Sequence, residues 1–358
     1  MSSAVVPAAI LSIASHTFST SQQGFISVTI TASTFVSQLV FAAIVEARLS
    51  SPLTARRVIF PRWLAGASIL AAIVVAVAFS QPIALCAALP VLLTSLEVGR
   101  GVSVAERLDS REAAAAILVG AGALAGVVIS YLGGPWGLIP LAVGIASATI
   151  VRSSPMQHAA VPPQPGVRAW VVADVAITGV IYPALNTLIL LLIGPVGAVL
   201  FTAISTVSGL LAIPLNFMRL RLLKAHSSLD VWVSAAAVAL ATIVIGILEF
   251  SGILGFVFRG SWTVPATAAA LGIACLWRAA SLATTLPFAA LRRAGHVKLL
   301  TVLRGCCALV TFGAGVLSLS LHSLTIVFVV LLLGELAQAS SYEIARRRLR
   351  ARLGSSPV

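Results

Sequence analysis

Apolar stretches about 20 residues long recur along the chain, separated by short breaks of Pro, Gly and charged residues. As helices, runs of this length cross the hydrocarbon core of a bilayer. The breaks place candidate spans at 4–19, 24–45, 64–79, 83–104, 113–131, 136–151, 169–193, 196–217, 231–250, 264–287, 299–319 and 324–342, twelve in all. None has the short alternating pattern of a barrel strand. The predicted fold class is therefore all-α, a polytopic membrane protein. The first span is short and ends in polar residues (Ser12, Ser15, His16, Thr17). A count of eleven, with the N-terminus outside, suits the same pattern.

Composition strengthens this reading. The chain has 358 residues, 59% hydrophobic and only 9% charged, with mean hydropathy +1.08. Soluble domains carry about a quarter charged residues, so this chain lacks the polar surface to cover a water-facing globule. The stretch Met1 to Ile13 has no basic n-region and does not read as a signal peptide.

The 23 Lys+Arg against 10 Asp+Glu give a net charge of +13. Such a balance raises nucleic-acid binding in a soluble protein, but here the cations lie between apolar spans, so no nucleic-acid partner is expected. Links after even-numbered spans hold Arg48, Arg56, Arg57 and Arg62, then Arg107 and Arg111, then Arg152 and Arg168. They continue with Arg219, Arg221 and Lys224, then Arg292, Arg293 and Lys298, and end in Arg346, Arg347, Arg348, Arg350 and Arg352. Links after odd-numbered spans are short and nearly neutral, except for the one holding Arg259. The positive-inside rule then puts the basic links and both termini in the cytoplasm, across a bacterial cytoplasmic (inner) membrane.

The longest polar link is Pro-rich, through Ser153-Ser154-Pro155 and Val161-Pro162-Pro163-Gln164-Pro165, and reads as a semi-rigid spacer. It divides the chain into an N-terminal six-helix half (1–152), a cytoplasmic linker (153–168), a C-terminal six-helix half (169–343) and a basic tail (344–358). Two bundles of six form a common transporter plan.

Polar groups inside spans are costly, which makes them functional candidates. In the seventh span, Asp174, Thr178, Tyr182 and Asn186 recur at steps of four on one slowly drifting stripe, with Pro183 among them to kink the helix. That suits the wall of a water-filled cavity; interhelical hydrogen bonding is the alternative use of the same groups. The second span offers Ser27, Thr31, Thr34 and Gln38 at helical spacing, and the tenth offers Arg278, Ser281 and Thr285 before Pro287. Arg278 either grips an anionic headgroup or snorkels to the cytoplasmic interface. Glu335, Gln338 and Tyr342 read as a helix-end group. Gly122–Gly126 and Gly133–Gly137 have the GxxxG spacing of closely packed helices. Cys86, Cys275, Cys306 and Cys307 lie in apolar runs and read as small buried hydrophobes. The five histidines are scattered without ligand spacing, so neither a metal nor a cofactor is expected.

Enzyme function finds little support. Acid–base or nucleophilic chemistry needs a constellation at an accessible face, as in a membrane glycosyltransferase or acyltransferase. The outer links are short and uncharged, the inner ones basic without an acid–His couple, and no GxxxxGK[ST] loop is present. The segment Ala14-Ser15-His16-Thr17-Phe18-Ser19-Thr20-Ser21-Gln22-Gln23-Gly24-Phe25 resembles the first-helix exit of polysaccharide (O-antigen, Wzx-type) flippases. The run from Asn186 through Gly194-Pro195-Val196-Gly197 and on to Ser205–Pro214 resembles their seventh and eighth helices, and Ala290–His296 their cytoplasmic turn after the tenth. That family sits in the multidrug/oligosaccharidyl-lipid/polysaccharide (MOP) exporter superfamily. One departure is the stretch before Ser15-His16, shorter than the family's first helix.

The resemblance implies two six-helix bundles around a central cavity open to one side at a time. It implies movement of an undecaprenyl-diphosphate-linked oligosaccharide from inner to outer leaflet, with membrane lipids and polysaccharide-assembly proteins as partners. The substrate path would include Asp174, Thr178, Tyr182, Asn186, Arg278, Ser281 and Gln38. A small-molecule or drug antiporter of the same fold stays open as the alternative, with a buried carboxylate such as Asp174 taking the coupling proton or cation.

Overall fold

The computed structural model describes residues 2–49, 58–106, 108–153, 165–215, 218, 228–259, 262–294 and 296–354. Arg56, Arg57, Arg107, Arg219, Arg221, Lys224 and the Pro-rich stretch 154–164 lie outside the described residues. All regular structure among the described residues is helical: α1 (Ser2–Thr17), α2 (Thr20–Phe41), α3 (Arg62–Val77), α4 (Pro82–Ala105), α5 (Asp109–Tyr131), α6 (Leu138–Arg152) and α7 (Pro165–Gly179). Next come α8 (Ile181–Leu192), α9 (Pro195–Gly209), α10 (Ser228–Phe250), α11 (Ile253–Phe258), α12 (Val264–Arg293), α13 (Val297–Leu319) and α14 (Leu324–Gly354).

Eight apolar helical stretches are long enough to cross a membrane, and four shorter ones cover Val5–Thr17, Arg62–Val77, Leu138–Arg152 and Pro195–Gly209. Together they match the twelve predicted spans one for one. The seventh span is divided between α7 and α8. Residues 165–168, expected in the linker, form the first turn of α7, because Pro suits the start of a helix. α12 runs through Pro287 to Arg293, and α14 carries the basic tail on as helix to Gly354.

The described residues form two compact units, Met1–Ala203 with Phe258–Ser261, and Ile204–Val257 with Trp262–Val358. In the first, α2 packs on α4, α5 on α6, α1 on α5, and α3 on both α4 and α6. Small residues bring α5 and α6 together. A Cβ added at Gly122 would sit 2.5 Å from the Pro140 carbonyl oxygen, and one at Gly126 would strike the carbonyl oxygen of Gly137. This is the close backbone approach that GxxxG spacing permits. A second cluster, Val45, Val58, Phe60, Leu64, Val98 and Val102, joins the basic ends of α2, α3 and α4. In the second unit α12 pairs with α14, α13 packs on α14, and α10 on α12. Phe288, Leu291, Leu300 and Tyr342 form its buried cluster.

Outward faces are apolar. Leu191, Leu309 and Leu317 are 72%, 73% and 76% exposed. Surfaces of this kind belong against lipid, where helices satisfy their own backbone groups.

Candidate functional site

The stripe of the seventh span rests on α2. Ser19 caps α2 in a reciprocal box with Gln22: the Ser19 hydroxyl accepts from the Gln22 N–H, and Gln22 Oε1 accepts from the Ser19 N–H at 3.0 Å. Such caps contribute on the order of 1 kcal/mol and fix where a helix starts. Inside α2, Ser27, Thr31 and Thr34 turn their hydroxyls back to the backbone oxygens of Gly24, Val28 and Ile30, at 2.8 Å each. Their lone pairs are left for neighbours. Past Phe41 the helix widens into a π-turn, Ala42–Glu46, where α7 packs. Such turns hold one extra residue and recur at functional positions.

α7 and α8 are one span broken at Val180. Pro183 explains the break. It has no N–H to offer the Gly179 carbonyl, and its ring crowds that same oxygen four residues back. Gly179 also lies flat against α2: a Cβ there would stand 2.6 Å from Phe35 Cδ2 and 3.6 Å from Gln38 Oε1. The interruption in one helix thus meets the middle of the other.

The stripe residues divide around this interruption. Asp174 is buried, with 9% exposure. Thr178 is half-buried and donates to the Asp174 carbonyl at 3.1 Å. Tyr182 is half-buried, its ring 5.8 Å from that of Phe201. Gln38 is exposed beside Gly179. Asn186 is fully buried, its Nδ2 donating to Thr202 Oγ1 at 2.8 Å and to Thr31 Oγ1 at 3.2 Å. The Thr31 and Thr202 hydroxyls donate to backbone carbonyls, so each can only accept from the amide. Asn186 Oδ1 has no partner among the described residues. In this conformation Asn186 is interhelical packing, and it reaches solvent only if α8 parts from α2 and α9.

In the second unit Arg278 stands midway along α12, too deep for its Cα to count as a helix end. Its guanidinium lies 4.0 Å above the Trp277 ring, and Ser281 donates to the Arg278 carbonyl at 2.6 Å. Stacking on an indole and edge-on contact with an anion use different parts of a guanidinium. Glu335 is not part of a helix-end group: it accepts from Thr284 of α12 at 2.5 Å, while Gln338 donates to the Tyr342 hydroxyl at 3.0 Å. Helix α14 is longer than the predicted span, which puts Glu335 in its interior.

Sequence reasoning missed two further groups. Arg152, placed in a link, is 1% exposed and makes a bidentate pair with Glu112. Arg304 of α13 and Arg292 of α12 hold their guanidiniums 5.6 and 5.5 Å from the same Phe288 ring. Arg292 and Phe288 do stand four residues apart on α12, but Arg304 comes from α13 and Arg152 meets Glu112 from 40 residues away, contacts that periodicity along one helix does not signal. Among the cysteines only Cys275 is buried, and Cys306 is exposed on a lipid-type face, correcting the expectation for that position. Among the described residues no three His, Cys, Asp or Glu side chains gather as a metal site.

No family model matches the chain, and no curated protein matches its sequence. Solved structures do match. One, described as the inward-facing conformation of a multidrug resistance MATE family transporter of the MOP superfamily, is 13% identical with a TM-score of 0.59, covering 99% of this chain and 95% of its own. The outward-facing conformation of such a transporter aligns at 11% identity and a TM-score of 0.49, covering 97% and 96%. The chain has the all-helical, polytopic fold of a MATE-type transporter.

Proposed function

We propose that the chain is a membrane transporter, not an enzyme, and that it moves a lipid-linked oligosaccharide (an undecaprenyl-diphosphate glycan) from the inner to the outer leaflet by alternating access. The observation that carries this reading is the interrupted span α7–α8, with half-buried Thr178 and Tyr182 flanking the interruption at Val180, beside exposed Gln38. Hydroxyls and an amide offer the mixed donors and acceptors that sugars need. In the second unit Arg278, stacked on Trp277 and with Ser281 bonded to its carbonyl, would supply a charge-assisted contact to phosphate. Fold alone does not fix substrate; the glycan assignment rests on the residues that resemble polysaccharide flippases. The orientation that goes with it has both termini cytoplasmic in a bacterial inner membrane.

Reconstitution tests it. Vesicles loaded with an undecaprenyl-diphosphate oligosaccharide should show protein-dependent exposure of the glycan to an added glycosidase, with Arg278→Ala inactive and Arg278→Lys partly active. Equal exposure with and without protein would overturn the glycan reading. A drug:cation antiporter is the second reading, favoured by one observation: Asp174, a carboxylate inside an apolar span, is 9% exposed. Drug efflux lost in Asp174→Asn, with no glycan movement, would establish it instead.

A further inference from the structure

Glu249 is the penultimate residue of α10, at the end remote from the basic links, and is 2% exposed. Its two oxygens have separate partners. Oε2 accepts from Trp262 Nε1 at 2.8 Å, and Oε1 lies 2.6 Å from Thr267 Oγ1. Thr267 Oγ1 is also 2.8 Å from the Thr263 carbonyl oxygen. A threonine hydroxyl carries one proton, so it cannot donate to both.

Two arrangements satisfy the cluster. With Glu249 ionised, Thr267 donates to Oε1, and the Thr263 carbonyl keeps its backbone donors, Ala266 and Thr267 N–H, at 3.0 Å each. With Glu249 protonated, its O–H donates to Thr267 Oγ1, and Thr267 turns to donate to Thr263. In both states Trp262 donates to Oε2. The difference between them is one proton on Oε1 and one hydroxyl rotation. A metal cation fits poorly, because the indole N–H aimed at the carboxylate can donate but cannot ligate.

Charged groups are sparse around this site. α10 packs on α12, whose first charged residue, Arg278, follows Thr267 by eleven positions, about 16 Å along the axis. Asp230 stands at the opposite end of α10, α11 has no charged residue, and Arg259 follows α11 in the link. Among the described residues the two Glu249 oxygens meet two neutral donors, and the acid form is as fully bonded as the anion.

We propose that Glu249, with Thr267 as its switching partner and Trp262 as its fixed donor, is a reversible proton-binding site at the end of α10 away from the basic links. The proton leaves Oε1 to water and returns from it, while the Thr267 hydroxyl swings between carboxylate and carbonyl. That this end faces outward rests on the orientation proposed above; proton binding itself does not.

Infrared difference spectroscopy of the purified, lipid-reconstituted protein between acid and alkaline pH reads the carboxylic C=O stretch without any transport step. The wild type should show a band that disappears with rising pH. Glu249→Gln, which keeps a donor towards Thr267 and an acceptor for Trp262, should fold normally and lose one component of it, the other carboxyl groups still contributing. Glu343→Gln, at the opposite end of the molecule's last helix, should retain that component. Thr267→Val removes the acceptor of the Glu249 O–H in the acid form and should move that component of the band to higher frequency. An unchanged band in Glu249→Gln, or an unchanged band frequency in Thr267→Val, would overturn the proposal, whether or not glycan moves.

Discussion

Arg152 and Glu112 grip one another through one edge of the guanidinium, Nε to Oε2 at 2.8 Å and Nη2 to Oε1 at 2.7 Å. The pair ties the start of α5 to the end of α6, with Arg152 fully covered and the Glu112 side chain 22% exposed. The Arg152 stem also lies on α4, where a Cβ added at Gly99 would meet its Cδ at 2.9 Å. Bidentate geometry of this kind is specific to arginine and carboxylate.

Breaking one side should therefore destabilise more than removing both. Arg152→Met or Glu112→Met alone leaves an unpaired charge, at a cost near the lower end of about 3–5 kcal/mol because Glu112 is partly solvated. The double variant, Arg152→Met with Glu112→Met, should recover much of that loss. Thermal unfolding of the detergent-purified protein checks this. A double variant as unstable as the sum of the singles would mean that the pair is not a unit.

The Asn186 seam makes a second prediction. Asn186→Leu removes two interhelical hydrogen bonds and also an unpartnered oxygen, so its effect on stability should be small. Thr202→Val leaves the amide short of its 2.8 Å acceptor and should cost about 1–2 kcal/mol. The ordering is read from melting temperatures, Thr202→Val lower than Asn186→Leu. The reverse order would show that the seam is not held as described.

How much of this was legible beforehand differs by element. The twelve apolar stretches were, because lipid sets a length that the chain must meet. The interruption in the seventh span was too, since Pro183 forbids one hydrogen bond wherever it stands in a helix. The widened turn at Ala42–Glu46 left no composition signal. Nor could the fate of Asn186 be read from its stripe, because its partners Thr31 and Thr202 lie 155 and 16 residues away. Arg152 looked like one more positive-inside cation, and only its approach to Glu112, 40 residues earlier, makes it internal.

Side assignment is tested apart from the fold. Reporter fusions after Gly134, Gly194 and Ser320 should report an outside location, and fusions after Arg57, Gln164 and Lys224 an inside one. An outside reading at Gln164 would break the two-halves organisation.

The interruption at Val180 should matter for turnover more than for stability. Gly179→Val pushes side-chain atoms into Phe35 and should lower both folded yield and transport. Pro183→Ala restores the missing N–H and lets α7 and α8 join. Its melting temperature should hold or rise while the glycan-exposure rate falls severalfold. Unchanged transport in Pro183→Ala would show that the break plays no part in the cycle.

The central claim is that α7 and α8 line the transport path, and cysteine accessibility addresses it most directly. In a background lacking the four native cysteines, Thr178→Cys and Tyr182→Cys should react readily with a membrane-impermeant thiol reagent. Leu185→Cys, at a fully buried position, should stay protected. Asn186→Cys should react slowly, at a rate set by how often α8 parts from α2 and α9. Added lipid-linked oligosaccharide should shield Tyr182→Cys and leave Leu185→Cys unchanged. Protection of Thr178→Cys and Tyr182→Cys equal to that of Leu185→Cys, with and without the glycan lipid, would contradict the account.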